Sequence, residues 1–228
     1  VPLFEAYGMT ENCAYATSNS PENIKIGTVG IPAHGVELKL AEDGEILIRS
    51  GGVFKGYFKD EQATSETIDK DGWLYTGDVG IYEGDFVKIV DRKRDIIITS
   101  GGKNVSPSEI ENKIKVSPFV KEAIVIGDRR KFLSVLIGIE FDTVSNWALR
   151  KNIPHTTYRD LSEKQEVKDL VWREISKANE KTSSLEVREF RMIPKELDHE
   201  EGELTATQKV KRNVLIEQFS DLIEEMYS

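Results

Sequence analysis

Cysteine is almost missing from this chain. Cys13 is the single one among 228 residues, so no disulfide can form within the chain. That fits a reducing compartment and the expectation of a cytoplasmic protein. Long apolar runs are also missing. None approaches the roughly 18 residues of a membrane span, which leaves open only a peripheral association with a membrane. Basic residues are the minority, 31 Lys and Arg against 40 Asp and Glu, for a net charge of −9. With a pI of about 5.1, a nucleic-acid binder is disfavoured. Internal repeats and low-complexity tracts do not occur. What is present is 39% apolar residues, enough to build a packed core. The length suits one large domain or two small ones.

The negative charge is uneven. Residues 1–92 carry 16 acids and 8 bases, whereas residues 93–228 carry 24 acids and 23 bases. The change falls at the charged cluster Asp91-Arg92-Lys93-Arg94-Asp95 and marks a candidate domain boundary. Before it, short runs bounded by Gly, Pro or Asp predict strands over Gly27–Gly30, Val36–Leu40, Glu45–Arg49 and Phe86–Val90. After it, strands and helices alternate. Ile96–Thr99 predicts a strand, and Ser106-Pro107-Ser108-Glu109 predicts a capped helix start, with a good N-cap, Pro in the first turn and Glu placed for a capping box. Val120–Gly127 and Leu133–Ile139 predict strands, and Asp142–Lys151 a helix. Over Glu166–Lys181, apolar residues at three- and four-residue steps predict an amphipathic helix. Glu189–Ile193 predicts a strand, and Lys209–Tyr227 a final helix. The fold class is therefore α+β: a β-rich segment followed by a compact α+β domain.

Four clusters could carry chemistry, and each has a plainer reading. In Tyr7-Gly8-Met9-Thr10-Glu11, an aromatic ring can stack on a nucleobase, a hydroxyl can donate to a phosphate, and a carboxylate can hold Mg²⁺. The plain alternative is a turn. In Tyr75-Thr76-Gly77-Asp78, an ionised carboxylate could accept from two ribose hydroxyls, or simply satisfy its own turn. From Asp91 to Glu111, the run includes Arg92 and Ser100-Gly101-Gly102-Lys103-Asn104. Adjacent glycines there expose backbone N–H groups or absorb dihedral change, and the alternative is an ordinary strand–turn–helix connection. In Gly202-Glu203-Leu204-Thr205-Ala206-Thr207-Gln208-Lys209, a Lys ending a small polar loop suits phosphate oxygens. Read alone, that segment is a solvated helix start.

In order and together, these clusters resemble the adenylate-forming superfamily of acyl-CoA synthetases, firefly luciferase and peptide-synthetase adenylation domains. Tyr7-Gly8-Met9-Thr10-Glu11 is similar to that family's aromatic-Gly-x-Thr-Glu motif. Gly44-Glu45-Ile46-Leu47-Ile48-Arg49-Ser50 with Gly56-Tyr57 is similar to its Gly-Glu-Leu strand. Gly72-Trp73-Leu74-Tyr75-Thr76-Gly77-Asp78 is similar to its Trp-x-x-Thr-Gly-Asp motif. Asp91 through Glu111 resembles the hinge and Gly-rich motif, and Lys209 sits where a C-terminal catalytic Lys is expected. Ile97 through Val105 and Leu204 through Lys209 are most similar to long-chain fatty acyl-CoA synthetases, with Gln208 standing where Gly is usual.

The resemblance implies a two-step reaction. A carboxylate, here a fatty acid, attacks ATP to give an acyl-adenylate and pyrophosphate, and the coenzyme A thiol then displaces AMP. Tyr7 would lie against adenine, Thr10 would contact phosphate and Glu11 would bind Mg²⁺. Asp78 and Arg92 would hold the ribose. Lys209 would bridge carboxylate and phosphate in the transition state. A hinge at Arg94 would swing the C-terminal domain between steps, so that Gly101, Gly102 and Lys103 line the pantetheine channel. Arg129, Arg130 and Lys131 would meet coenzyme A phosphates.

The resemblance also implies an architecture. Residues 1–92 would be a β-barrel-like end of a large adenylation domain, and residues 93–228 the mobile C-terminal domain. A phosphate-binding loop expected upstream of Tyr7 does not occur, and the chain opens at Val1. The expectation is a C-terminal portion of a larger ligase, inactive alone, with its upstream part as partner. A fatty acyl-AMP ligase fragment serving a carrier protein, and a non-catalytic nucleotide- or partner-binding module, remain as alternatives.

Overall fold

The computed structural model describes residues 3–181 and 186–228. The chain divides between Asp95 and Ile96 into two compact units.

The first unit is built from short antiparallel strands. β1 (Ala6–Tyr7), β2 (Thr17–Ser18) and β3 (Ile31–Pro32) form one small sheet. β4 (Glu37–Leu40), β5 (Glu45–Arg49), β6 (Leu74–Glu83) and β7 (Phe86–Arg92) form a four-stranded sheet in that order, with helix α1 (Glu61–Thr67) between β5 and β6. Asp60 caps α1 by accepting from the Ala63 N–H at 2.9 Å. In β5, Ile46 and Ile48 are fully buried and meet Ala16, Leu74 and Val87 in a small core. Trp73, at the entry to β6, lies under Lys39 and Arg49, whose cationic groups are 3.9 and 4.6 Å from the ring centroid. Cation–π attraction there fixes the start of the strand.

Two expectations need correction in this unit. Gly27–Gly30 is not a strand. Thr28 turns back on Lys25, its N–H and hydroxyl both donating to the Lys25 carbonyl. Val29 and Gly30 instead exchange hydrogen bonds with Val87, outside any named ladder. Tyr75-Thr76-Gly77-Asp78, with its turn-like Gly-Asp, lies inside the ten-residue β6. Leu47 pairs with Tyr75, but Glu45 pairs with Val79. Between those pairs, the single residue Ile46 faces Thr76, Gly77 and Asp78, so β6 bulges there. Gly77 takes a φ of +70°, which suits glycine.

The second unit is a layered α+β domain. β8 (Ile97–Ile98) and β9 (Asn104–Val105) form a hairpin, followed by α2 (Pro107–Lys115). Ser106 caps α2, accepting from the Glu109 N–H at 3.2 Å. β10 (Val120–Ile126) and β11 (Leu133–Ile139) pair antiparallel. After α3 (Phe141–Arg150), α4 (Tyr158–Glu163) and α5 (Gln165–Glu180), β12 (Val187–Met192) joins β11 in parallel. α6 (Arg212–Gln218) and α7 (Ser220–Glu225) complete the chain.

All seven residues of β11 are buried, as a central strand covered on both faces requires. Val135, Ile137 and Ile139, with Ala123 and Val125 of β10, meet Ile110 and Ile114 of α2 and Val167, Val171 and Ile175 of α5. Ile124, Ile126 and Leu136 meet Leu215, Phe219, Ile223 and Met226 in a second core. The two-residue alternation of the strands separates the two cores.

The expected helix over Lys209–Tyr227 is two helices. It starts at Arg212 and breaks at Phe219, whose φ and ψ are −106° and 26°. The bend keeps Leu215, Phe219 and Ile223 all against the sheet. α4 was not predicted. It is short, and Thr157 starts it by accepting from the Asp160 N–H. Among the described residues, no helix is long and apolar enough to cross a membrane.

Candidate active site

Three of the expected nucleotide residues come together in the first unit. Asp78 and Arg92 are register partners on β6 and β7. Asp78 is 5% exposed, and its Oδ1 lies 2.9 Å from Arg92 Nε. Tyr7, carried in from β1, donates its phenol to Asp78 Oδ2 at 2.5 Å. Burial first, and then this hydrogen bond to a carboxylate, hold the Tyr7 phenol well above its ordinary range, so it stays a donor. A buried carboxylate between a ring and a guanidinium retains spare lone pairs on both oxygens. Acceptors for a vicinal diol beside an aromatic face are the donor–acceptor set that suits a nucleoside.

The segment after Tyr7 is tightly folded. Thr10–Asn12 forms a 3-10 turn, and the Met9 N–H donates to Asn12 Oδ1 at 2.9 Å. A Cβ on Gly8 would sit 2.3 Å from the Ala14 carbonyl carbon, so no larger residue fits there. Thr10 is exposed and Glu11 half-buried on this turn. Glu11 Oε1 accepts from Tyr57 Oη at 2.8 Å, and that bond to a carboxylate raises the Tyr57 phenol above its ordinary value. Glu11, Tyr57, Thr76, Gly77, Arg92 and Arg94 line one open cleft of about 550 Å³. Among the described residues, no three His, Cys, Asp or Glu side chains gather as a metal cage. Glu11 could hold Mg²⁺ only as a single carboxylate, the other ligands coming from phosphate and water, which is a common habit of that ion.

Sequence reasoning passed over Glu45, Tyr57 and Lys93 as individuals, although all three lie in quoted motifs. Lys93 Nζ lies 2.6 Å from Asp43 Oδ2 and 2.7 Å from Glu45 Oε2. These hydrogen bonds, Asp43's first, hold Lys93 above its ordinary value. Arg94, the expected hinge, is 84% exposed at its side chain and lies in the 3-10 turn Lys93–Asp95.

In the second unit, Gly101, Gly102 and Lys103 form the exposed tip of the β8–β9 hairpin. The Gly102 N–H closes the turn on the Thr99 carbonyl at 2.8 Å. The Ser100 N–H donates to the Arg130 carbonyl at 3.0 Å, so the hairpin rests on the loop with the basic trio. That trio is not uniform. Arg130 is paired with Glu224 and lies 4.6 Å from the Tyr227 ring centroid, while the side chain of Arg129 is 92% exposed.

Lys209 is exposed on a tight turn, not on a helix start. The Thr205 N–H donates to the Lys209 carbonyl at 2.8 Å, and the Lys209 N–H returns to Thr205 Oγ1 at 3.0 Å. Gln208 takes a φ of +60°. That left-handed conformation gives Gln208 a cost of about 1–2 kcal/mol and is one that glycine would adopt freely. The base of the turn is held by Glu203, fully buried, which lies 2.8 Å from Lys195 Nζ and accepts from the Asp198 N–H at 2.7 Å. Burial opposes ionisation of Glu203, but those partners outweigh it and keep its carboxyl below the usual range. Arg212, three residues past Lys209, pairs with Glu111 of α2 at 2.6 Å.

Comparison with known proteins decides the family. The model of the AMP-binding enzyme C-terminal domain matches residues 94–228, and that of the AMP-binding enzyme matches residues 1–58. This chain belongs to the AMP-binding, adenylate-forming enzymes. It is 38% identical to the long-chain-fatty-acid–CoA ligase FadD15 of Mycobacterium bovis, over 99% of this chain and 38% of that protein. It is 35% identical to long-chain-fatty-acid–CoA ligase 6 of Mus musculus, over 99% of this chain and 34% of that protein. The chain thus spans well under half the length of these curated relatives. Among solved structures, the adenylation domain of a carboxylate reductase from Mycobacterium chelonae shares the fold, with a TM-score of 0.75 at 22% identity, covering 98% of this chain and 34% of that one. The O-succinylbenzoate coenzyme A synthetase of Bacillus subtilis in complex with AMP aligns with a TM-score of 0.66 at 26% identity, covering 94% of this chain and 40% of that one.

Proposed function

We propose that this chain is the C-terminal portion of an ATP-dependent acyl-CoA ligase whose carboxylate substrate is a long-chain fatty acid. The observation that carries this reading is the Tyr7–Asp78–Arg92 arrangement, a buried carboxylate offered beside an aromatic ring. Its support from relatives is the identity to ligases named for long-chain fatty acids.

Within this reading, the chain's residues divide the work. Asp78 accepts from the ribose hydroxyls, Arg92 orients that carboxylate and the Tyr7 ring lies against adenine. Thr10 contacts phosphate from the turn after β1. Glu11 would be the protein ligand of a bound Mg²⁺, which would supply positive charge against the phosphates. Lys209 brings a mobile cation to the acyl carboxylate and α-phosphate, offsetting the repulsion between two anions where charge develops. Rotation at Arg94 then withdraws Lys209 and brings Gly101, Gly102 and Lys103 to the pantetheine arm of coenzyme A. Arg129, its side chain 92% exposed and meeting Asp128 at 3.8 Å, and Lys131 are better candidates for its phosphates than Arg130, which is held by both Glu224 and the Tyr227 ring.

The acyl pocket and a phosphate-binding loop belong, on this proposal, to an upstream part of the same polypeptide. The test is ATP–pyrophosphate exchange driven by a long-chain fatty acid. The 228-residue chain gives none above background, and the polypeptide extended upstream gives robust exchange. Exchange by the short chain would refute its incompleteness, and no fatty-acid dependence in the longer one would refute the substrate. In the longer polypeptide, Arg94→Pro should spare adenylate formation and suppress thioester formation. An unaffected second step would remove Arg94 as the hinge.

A further inference from the structure

The Gly-Glu strand motif has no part in the chemistry above, but its carboxylate occupies a decisive place. Glu45 is 4% exposed at the start of β5. Across from it, β6 bulges at Thr76-Gly77-Asp78, and a bulge leaves backbone N–H groups without ladder partners. The Gly77 N–H donates to Glu45 Oε1 at 2.9 Å. The Asp78 N–H donates to Thr76 Oγ1 at 3.1 Å, and the Thr76 hydroxyl passes on to the Ile46 carbonyl at 2.8 Å. The other oxygen of Glu45 receives Lys93 Nζ at 2.7 Å, and Lys93 also reaches Asp43, whose Oδ1 accepts from the Glu45 N–H. One carboxylate therefore touches both the bulge that aims Asp78 and the lysine next to Arg94.

We propose that Glu45 is a positioning residue that locks the Asp78 bulge and the Lys93 end of the hinge segment into one rigid piece, so that backbone rotation starts only after Lys93. The proposal rests on the nucleotide and hinge roles given above. Gln at this position keeps an acceptor for Gly77 but cannot pair with Lys93, whereas Ala loses both. The two oxygens of Glu45 can thus be tested separately.

The experiment is hydrogen exchange on the 228-residue chain, read over residues 75–79 and 93–95, for the wild type, Glu45→Gln, Glu45→Ala and Lys93→Gln. Glu45→Gln and Lys93→Gln should each speed exchange at 93–95 by about tenfold and leave 75–79 within about twofold of wild type, the effect expected of one lost charged contact. Glu45→Ala should speed both segments. If Glu45→Gln loosens 75–79 as much as Glu45→Ala does, or if Lys93→Gln leaves 93–95 at the wild-type rate, the proposal is overturned. Should Glu45→Ala fail to fold, the other two variants still decide it. Adding AMP to the polypeptide extended upstream separates the two levels. Absence of any slowing at 75–79 in wild type counts against the nucleotide reading, while the pattern without AMP still judges Glu45.

Discussion

The two units of this chain are held together differently. The second has two apolar cores, one on each face of β10–β11–β12, with Leu136 and Ile137 fully buried at the centre. The first has one small core around Ile46, Ile48 and Leu74 and is otherwise fastened by buried polar groups: Asn12, Thr17, Asn19, Thr28, Glu45, Thr76, Asp78 and Asp91. Directional bonds fix atoms in place, whereas apolar packing fixes elements as bodies. On the proposed function, a unit that holds the Asp78 carboxylate in one orientation is served by the former, and a unit that moves as a body and displays Lys209 is served by the latter.

Truncating the apolar centre should have the largest effect on stability. Leu136→Ala is expected to cost about 2–5 kcal/mol, read as a lower urea midpoint from the fluorescence of Trp147 and Trp172, with Trp73 in the first unit reporting little change. Equal loss at all three indoles would break the contrast between the units. Asp78→Asn comes next. It removes a charged acceptor and should weaken AMP binding in the longer polypeptide by roughly 10–100-fold, in line with about 1.5–3 kcal/mol for a charged hydrogen bond. Calorimetric titration measures it, and unchanged affinity would remove Asp78 from the ribose. A smaller effect is expected of Gln208→Gly. Relief at φ +60° is partly offset by the greater freedom of glycine in the unfolded chain, leaving a gain below about 1 kcal/mol by urea titration. A loss would show that the Gln208 side chain contributes more than its backbone costs.

The smallest effect concerns pH. Hydrogen bonding to Lys93 holds Asp43 below its ordinary value, and Lys25 does the same for Glu83. Depressed carboxyls stabilise the fold above their unfolded values, and this contribution is lost as pH falls through the folded ones. The stability of the first unit should be level from about pH 5 upwards and fall below about pH 4. Lys93, shifted upward, works the other way and matters only above about pH 10. Lys93→Gln should flatten part of the acid limb, and an unchanged limb would show that the contact is too exposed to count.

Much of the second unit was legible because its signals are local. Ser106 before Pro107, the short apolar run Leu133–Ile139 and the three- and four-residue steps from Val167 to Ala178 each encode an element within one window. The break at Phe219 was hidden because the apolar pattern runs through it. In the first unit, the motif residues were visible, but their bonds were not. Asp78 meets Tyr7 across 71 positions and Glu45 meets Lys93 across 48, and no window covers such distances. Gly77 read as a turn because glycine marks turns and bulges alike.

The division of labour between the units is tested most directly by separating the two half-reactions in the longer polypeptide carrying Lys209→Ala. The account predicts that adenylate formation from ATP and fatty acid falls by at least about 10²–10³-fold, the scale for losing a group that stabilises developing charge. Thioester formation from supplied acyl-adenylate and coenzyme A should stay close to wild type. An equal loss of both half-reactions would contradict it.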